Sequence, residues 1–569
     1  LPASGPLSRA LAIAAEPSLG LGAVADLARR GAEAEASGTL ELRLARLDGL
    51  ARADVGVGLA LNLNHLVVPE VAPGLGVTDG TATVTLDGPE VAIAGDIAVN
   101  GVALSAAWTA NLAGDGGLAG EGGLAGEGGL AGGGDWRARL AGTVDDAARA
   151  ALGLGLGPRV AGPIGGELVI EGNPDGGARF VLGADATQAR LEVPEVPWAK
   201  PAGAPARLDA TWTEAADGAI VVESLRFDAP DASVDGQATI GPGGANARLE
   251  ARRLKFGRND LYGTLAFGPD GYDVAFTATE IDLSPHMEDV TGEDDAGPMP
   301  NFRLNGTVGR LFLRPEMALA DVTVAADVAD DRWLGLAFQG TMPGGAPLTV
   351  AIAPGDGQRT FSLAAGDAGD ALRLFDVFDT ARGGWLEIGA VIDDRDPLRP
   401  ASGRLVLHKF TIRDAPILGK LLALGSFSGI GALLTGDGIP FTKANVPFEK
   451  RGAVVTITGG RAWGGAIGLN ADGTIDLATD ILDLRGTLVP AYTINSVFGS
   501  VPLIGELLVG GEGQGLFAAT YAVRGPRDDP EVLVNPLATL APGFLRQIFE
   551  FGDGAAPEGD GTAEQVEER

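Results

Sequence analysis

The chain has 569 residues, a formal net charge of −33 and no cysteine. The charge opposes binding to nucleic acids, because that affinity depends on Lys and Arg displacing counterions from phosphates. The absence of cysteine excludes disulfides, thiolate nucleophiles and cysteine-ligated metal centres. The three histidines (His65, His286 and His408) lie far apart in sequence. We therefore predict a non-enzymatic protein with no catalytic residues, no cofactor, no bound metal and no nucleic-acid partner.

The N-terminal residues predict a short helical segment over residues 1–36. The pattern from Leu7 to Arg30 suits a helix that is broken near Pro17, since proline removes a backbone donor inside a helix. The chain begins without Met and without a basic stretch before an apolar core, so no signal peptide is recognised. We expect a fragment or a processed chain.

After Gly38 the pattern changes to short alternating strands separated by turns. Val91–Val99, for example, leads into Asn100-Gly101, a dipeptide that favours a tight hairpin because both residues tolerate positive φ. The same pattern recurs at Thr81–Leu86, Gly166–Glu171, Ala219–Asp228, Ala232–Ile240, Tyr262–Phe267, Tyr272–Leu283, Asn301–Leu313, Gly403–Ile412, Val454–Thr458 and Leu516–Arg524. We predict an extended antiparallel β-groove over residues 37–413, with a Gly-rich loop at 114–135.

The alternation separates an apolar face from a polar face. In Tyr272–Leu283 one face reads Tyr272, Val274, Phe276 and Ala278, and the other alternates with Asp and Thr. Only 5% of residues are aromatic, which is little for a sandwich core. The predicted fold is therefore mostly β: a long, twisted antiparallel sheet forming an open groove, with a few short helices near both ends. Its candidate lining residues are Val274, Phe276, Ile281, Leu405, Leu407 and Phe410.

Several stretches allow two interpretations each. Ile417–Leu434 is the best candidate for a membrane span, but its glycines favour a buried or interfacial helix. The acidic clusters Glu288–Asp295 and Asp393–Asp396 could hold Ca²⁺, although solvated loops are favoured. Arg252, Arg253, Lys255 and Arg258 could meet lipid phosphates, but a strand balanced by neighbouring charges is favoured.

The C-terminal part combines short helices with an acidic tail. Leu540, Phe544, Ile548 and Phe551 form one apolar stripe at helical spacing, which predicts a helix that caps the sheet or touches a bilayer. The first of these interpretations is favoured. Residues 552–569 are rich in carboxylates, Gly and Pro, and we expect them to be disordered.

Residues 414–551 resemble the AsmA-like superfamily of Gram-negative cell-envelope proteins, and most closely its YhdP-type, TamB-related members. Weaker similarity extends upstream through Ser37–Leu42 and Thr78–Gly80. The segments that carry the resemblance are Asp414–Ile430, Gly436–Phe441, Gly486–Asn495, Val501–Leu508, Tyr521–Gly525 and Val534–Arg546.

The resemblance implies an apolar β-groove that spans the periplasm and carries phospholipids from the inner to the outer membrane. The expected partners are phospholipids, the two membranes and membrane proteins at either end. The family's N-terminal membrane helix is missing here, so we expect an inner-membrane anchor outside this chain. No catalytic residues come with the family. The alternatives are an outer-membrane-protein assembly factor that templates β-strands, an adhesin-like β-solenoid and a carboxylate-based hydrolase.

Overall fold

The computed structural model describes residues 2–9, 31–44, 55–87, 90–111, 136–172, 177–193, 198–287, 299–375, 377–413, 415–424, 437–490, 519–527 and 529–535. The chain divides into two compact units, Leu1–Ile281 and Asp282–Arg569, called unit 1 and unit 2 below. Both are built mainly of antiparallel strands.

The strands of unit 1 are joined by short connections from Arg207 onward and include some longer connections before it. They are β1 (Pro2–Pro6), β2 (Glu33–Leu44), β3 (Val55–Ala72), β4 (Leu75–Asp87), β5 (Glu90–Val99), β6 (Val102–Asn111), β7 (Trp136–Val144), β8 (Val160–Ala161), β9 (Ile164–Gly172), β10 (Ala178–Asp185), β11 (Arg190–Val193), β12 (Trp198–Lys200), β13 (Arg207–Glu214), β14 (Ile220–Ala229), β15 (Ala232–Ile240), β16 (Ala247–Phe256), β17 (Asn259–Gly268) and β18 (Gly271–Asp282). One helix, α1 (Asp146–Ala151), follows β7.

Unit 2 continues the same pattern and adds two helices. Its strands are β19 (Phe302–Arg314), β20 (Met317–Ala329), β21 (Arg332–Thr341), β22 (Pro347–Pro354), β23 (Gln358–Ala365), β24 (Ala381–Arg382), β25 (Trp385–Asp393), β26 (Ala401–Ile412), β27 (Ile439–Arg451), β28 (Val454–Trp463), β29 (Ile467–Asp476), β30 (Ile481–Pro490), β31 (Ala519–Pro526) and β32 (Glu531–Asn535). The helices are α2 (Ala368–Leu374) and α3 (Pro416–Leu424).

Tight turns set the register of the hairpins. Val99 pairs with Val102 across Asn100 and Gly101, whose φ angles are 49° and 84°, as a type I′ turn requires. The hairpin turn predicted at Asn100-Gly101 is thus confirmed. Gly268 pairs with Gly271, which leaves Pro269 and Asp270 as a two-residue loop.

Strand pairing is antiparallel and mostly sequential within each unit. In unit 1, β9 pairs with β7, and β10 pairs with β13, because β8, β11 and β12 leave the main sheet and form a small sheet of their own. In unit 2, β24 and β25 lie end to end along β26. The predicted fold class is confirmed: the chain is mostly β, its sheet is twisted, antiparallel and not closed, and its helices are few and short.

Three features differ from the expected organisation or fall outside the described residues. Pro2–Pro6, expected within a helical segment, is a strand because it pairs with Glu35–Thr39 of β2. The division between units falls after Ile281, inside the region expected as one groove, and the strands predicted past residue 413 are found in β28 and β31. The Gly-rich loop at 114–135 and the acidic tail at 552–569 lie outside the described residues.

Candidate functional site

The most extensive feature of unit 1 is an apolar face, defined by side chains that stand opposite one another in register. Phe180 pairs with Ile170 on one side and with Trp212 on the other, for example, and the same face continues strand by strand. The large side chains of this unit 1 apolar face are Ile93, Leu104, Trp108, Trp136, Leu140, Leu168, Ile170, Phe180, Leu182, Leu208, Trp212, Val222, Leu225, Phe227, Val234, Leu249, Leu254, Leu261, Leu265, Phe267, Val274 and Phe276.

These side chains are not buried as a protein core would be. Each is half-buried, apart from Leu249, which is 40% exposed. Contacts along the face, such as the stacked rings of Phe180 and Trp212 with centroids 4.9 Å apart, account for the buried half. Apolar surface that remains in contact with water costs free energy in proportion to its area. The face is therefore suited to receiving an apolar ligand.

One rim of this face is covered by the small sheet. Leu191 and Trp198 of that sheet are buried in a cluster with Ala206 and Ala232, and Phe227 and Phe256 pack against the cluster. The Trp198 ring meets the edges of Phe227 and Phe256 at centroid distances of 6.2 and 5.4 Å. The covered rim is therefore a local core. A second core lies on the N-terminal strands of the same face, where Leu63 and Ala82 are buried and Ile93 packs against them.

Two buried cations hold this covered rim in place. Lys200 Nζ lies 2.7–3.1 Å from four backbone carbonyl oxygens, of Thr187, Ala189, Pro201 and Ala204, and its burial lowers the pKa of the ammonium. Arg149 of α1 donates to the carbonyl of Gly162 at 2.7 Å. Both side chains satisfy carbonyls of connecting segments, which is a structural role.

The opposite face of unit 1 is polar and carries cross-strand ion pairs. Arg252 Nε donates to Asp235 at 2.9 Å, and this hydrogen bond is the main reason that the pKa of Asp235 is lowered. Arg253 lies 3.2 Å from Asp260. Two of the four residues of the predicted basic run, Arg252 and Arg253, are thus paired with neighbouring carboxylates. A face of paired charges is stable in water, so the two faces of unit 1 have opposite solvent preferences.

Unit 2 has the same two-faced design, with a different covering. Ten residues that pair successively across the strands form the covered row: Gly340, Leu348, Ala365, Leu386, Leu407, Ala444, Ala462, Leu469, Leu488 and Ala519. Most of the covered row is buried; Leu348 is 0% exposed. Helix α2 lies against β24, β25 and β26 at this rim.

A second row of apolar residues lies on the same face, two positions from the covered row on each strand. We call it the open row; it consists of Phe338, Val350, Leu363, Ile388, Leu405 and Val446. All six side chains are half-buried. The difference between the two rows lies in what covers them, because both are apolar. The open row of unit 2 thus has the same character as the unit 1 apolar face.

The residues predicted from the sequence to line a groove fall into two groups. Val274 and Phe276 lie on the unit 1 apolar face, and Ile281 follows Glu280 on its last strand; all three are half-buried. Leu405 belongs to the open row of unit 2 and Leu407 to the covered row. Phe410 is buried and stacks on Phe441 with centroids 5.1 Å apart, beyond Lys409, whose φ is 50°. Phe410 is therefore packed against protein.

Some of the other residues singled out in the sequence are packed against protein, and others lie outside the described residues. Asp394 accepts three hydrogen bonds from Arg359 at 2.7, 2.9 and 3.0 Å, which makes the cluster at 393–396 part of a largely buried ion pair. His408 stacks on Trp385 with centroids 4.4 Å apart. Among the described residues there is no group of three or more Asp, Glu or His that could hold a metal ion. Leu540, Phe544, Ile548, Phe551 and the cluster at 288–295 lie outside the described residues.

The candidate membrane span at 417–434 is described only as far as Leu424. There α3 is a short helix whose Leu418, Leu421 and Leu422 are buried. Within the described part of the chain, no helix has the length and apolarity needed to span a bilayer.

Sequence reasoning missed one concave site. A cavity of about 570 Å³ lies where β5, β6, β7 and β9 end side by side, and Glu90, Trp136, Arg137 and Glu171 line it. The available signal was Trp136 followed directly by Arg137 at the start of a strand, which places an indole and a guanidinium on opposite faces of one rim.

Comparison with known proteins returned no family model, no curated protein and no solved structure that matches this chain.

Proposed function

We propose that the chain is a non-enzymatic, bridge-like carrier of phospholipids between the inner and outer membranes, acting in the periplasm. The observation that supports this function best is the unit 1 apolar face, on which more than twenty large side chains stay half-buried or exposed. The resemblance of residues 414–551 to the AsmA-like superfamily points in the same direction.

The physical basis of transport is the cost of exposing hydrocarbon to water. Each CH₂ group that leaves an apolar environment costs about 0.8 kcal/mol, so a free acyl chain does not cross an aqueous gap at a useful rate. Acyl chains lying on the apolar face would avoid that cost and would cover the half-exposed side chains. The ion-paired polar face would stay in water, and the headgroup would lie at a rim.

The test is lipid extraction from the purified chain, read by mass spectrometry after incubation with phospholipid vesicles. A matched pair of variants in β10 gives the control. Leu182→Arg places a charge on the apolar face, whereas Val181→Arg places the same charge on the adjacent position of the polar face. We expect wild type and Val181→Arg to retain phospholipid, and Leu182→Arg to retain severalfold less.

The outcome separates the proposal from its main alternative. A folded wild-type chain that retains no phospholipid would contradict lipid carriage. If the same chain instead accelerated the folding of an outer-membrane β-barrel, the assembly-factor alternative would replace it.

A further inference from the structure

The cavity at the ends of β5, β6, β7 and β9 lies where the two faces of unit 1 meet. Its apolar side is formed by Val91, Ala110, Trp136 and Gly172, which pair in register on the apolar face. Its polar side includes Arg137 and Glu171 on the other face of the same strands. A ligand in this cavity would contact both environments at once.

On the apolar side, one hydrogen-bond donor has no partner. Trp136 Nε1 is buried and makes no hydrogen bond. Gly172 makes room for the indole, because a Cβ at this position would lie 1.8 Å from Trp136 Nε1. The indole therefore packs on the Gly172 backbone, and its ring forms an apolar wall of the cavity.

On the polar side, charges of both signs are arranged along the rim. Arg137 Nη1 lies 3.4 Å from Glu171 Oε1, and Glu171 Oε2 also lies 3.7 Å from Arg179. Glu90 is exposed and forms no ion pair with any described residue. The ionic side chains that line the cavity are therefore one guanidinium and two carboxylates. This balance disfavours a ligand with net negative charge.

We propose that this cavity is a headgroup site for a zwitterionic glycerophospholipid of the phosphoethanolamine type, an inference that rests on the proposed function. Arg137 holds the phosphate, since charge-assisted hydrogen bonds from guanidinium to phosphate are strong. Glu90 pairs with the ammonium. The acyl chains pass the Trp136 ring and continue onto the apolar face.

The experiment measures lipid retained by the purified chain from vesicles of equal parts dioleoyl phosphatidylethanolamine and dioleoyl phosphatidylglycerol. We expect wild type to prefer phosphatidylethanolamine. Arg137→Gln should lower its retention about tenfold, as for loss of a charged hydrogen bond. Glu90→Gln should remove the preference for phosphatidylethanolamine over phosphatidylglycerol. The matched control is Arg139→Gln. Arg139 is the next residue on the same face of β7; it forms an ion pair with Glu167 at 2.7 Å and does not line the cavity.

The outcomes distinguish failure of this site from failure of the function. If wild type retains lipid but prefers phosphatidylglycerol, or if Arg137→Gln behaves like Arg139→Gln, the headgroup site is refuted and lipid carriage stands. If free phosphoethanolamine binds as well as the lipid does, the cavity is a site for a soluble phosphate ester and the inference is wrong. If wild type retains no lipid, both proposals fail together.

Discussion

Each unit has an apolar sheet face, and the elements that pack on this face differ between the two units. In unit 1 the small sheet of β8, β11 and β12 covers one rim, a second cluster buries Leu63 and Ala82, and the large side chains between these two cores stay half-buried. In unit 2 helix α2 lies at the rim, and the covered row beside it reaches full burial at Leu348. The open row, two residues away along the same strands, remains half-buried.

This contrast shows that alternation of apolar and polar residues along a strand is not enough to form a core. Leu407 and Leu405 are the same residue type on the same face of β26, and they differ in exposure because only one lies in the row that is covered. An apolar strand face becomes a core where another element packs on it, and otherwise remains a surface. A ligand site is therefore expected on the parts of the apolar faces that no other element covers.

The largest effect is expected from the buried ion pair in unit 2. Arg359→Ala leaves Asp394, which is 12% exposed, without its guanidinium. Breaking a largely buried ion pair costs about 3–5 kcal/mol. Arg332 and Arg399 still attract Asp394, so the free energy of unfolding should fall by about 3–4 kcal/mol in urea titrations. The matching change in unit 1, Arg226→Ala, removes an exposed partner of Asp235 and should cost about 0–1 kcal/mol. Equal losses would contradict the distinction between buried and exposed pairs.

A smaller effect should separate the two rows of unit 2. Leu407→Ala deletes a buried side chain and should destabilise by about 2–5 kcal/mol. Leu405→Ala removes a side chain that is already partly in contact with water, so about 1 kcal/mol is expected. Urea unfolding of the two single variants measures the difference. Equal destabilisation would mean that the open row is covered as well as the covered row.

A pH titration gives the smallest of the three stability effects. The hydrogen bond from Arg359 lowers the pKa of Asp394 below its ordinary value of 3.8. The carboxylate therefore contributes stability above that pH, and the contribution is lost as pH falls towards the folded-state pKa. Between about pH 6 and pH 3, wild type should lose more stability than Arg359→Ala, which lacks the pair. Parallel losses would refute the linkage.

The sequence predicted the strands and turns because their signals are local. Asn100-Gly101 requires only two residues with positive φ, and Val274 and Phe276 share a face through the geometry of one strand. It did not predict which residues are covered, because covering depends on distant segments. Phe410 is buried against Phe441, which is separated from it by α3 and by residues outside the described part of the chain.

The strand at Pro2–Pro6 and the cavity at Trp136 were missed for a related reason. Pro2–Pro6 has no strand pattern of its own and takes its conformation from pairing with Glu35–Thr39. The cavity depends on four strand ends meeting side by side, and Glu90 and Glu171 are 81 residues apart in the sequence. Non-local pairing of this kind leaves no periodic signal in the chain.

Photocrosslinking at two adjacent positions of β18 tests the central claim most directly. Photoreactive p-benzoylphenylalanine is placed at Phe276, on the unit 1 apolar face, or at Ala275, exposed on the polar face. The chain is then irradiated with phospholipid vesicles and analysed by mass spectrometry. Lipid carriage predicts acyl-chain adducts at position 276 and few or none at position 275. Equal labelling at both positions, or no lipid adduct at 276 in a folded chain, would contradict it.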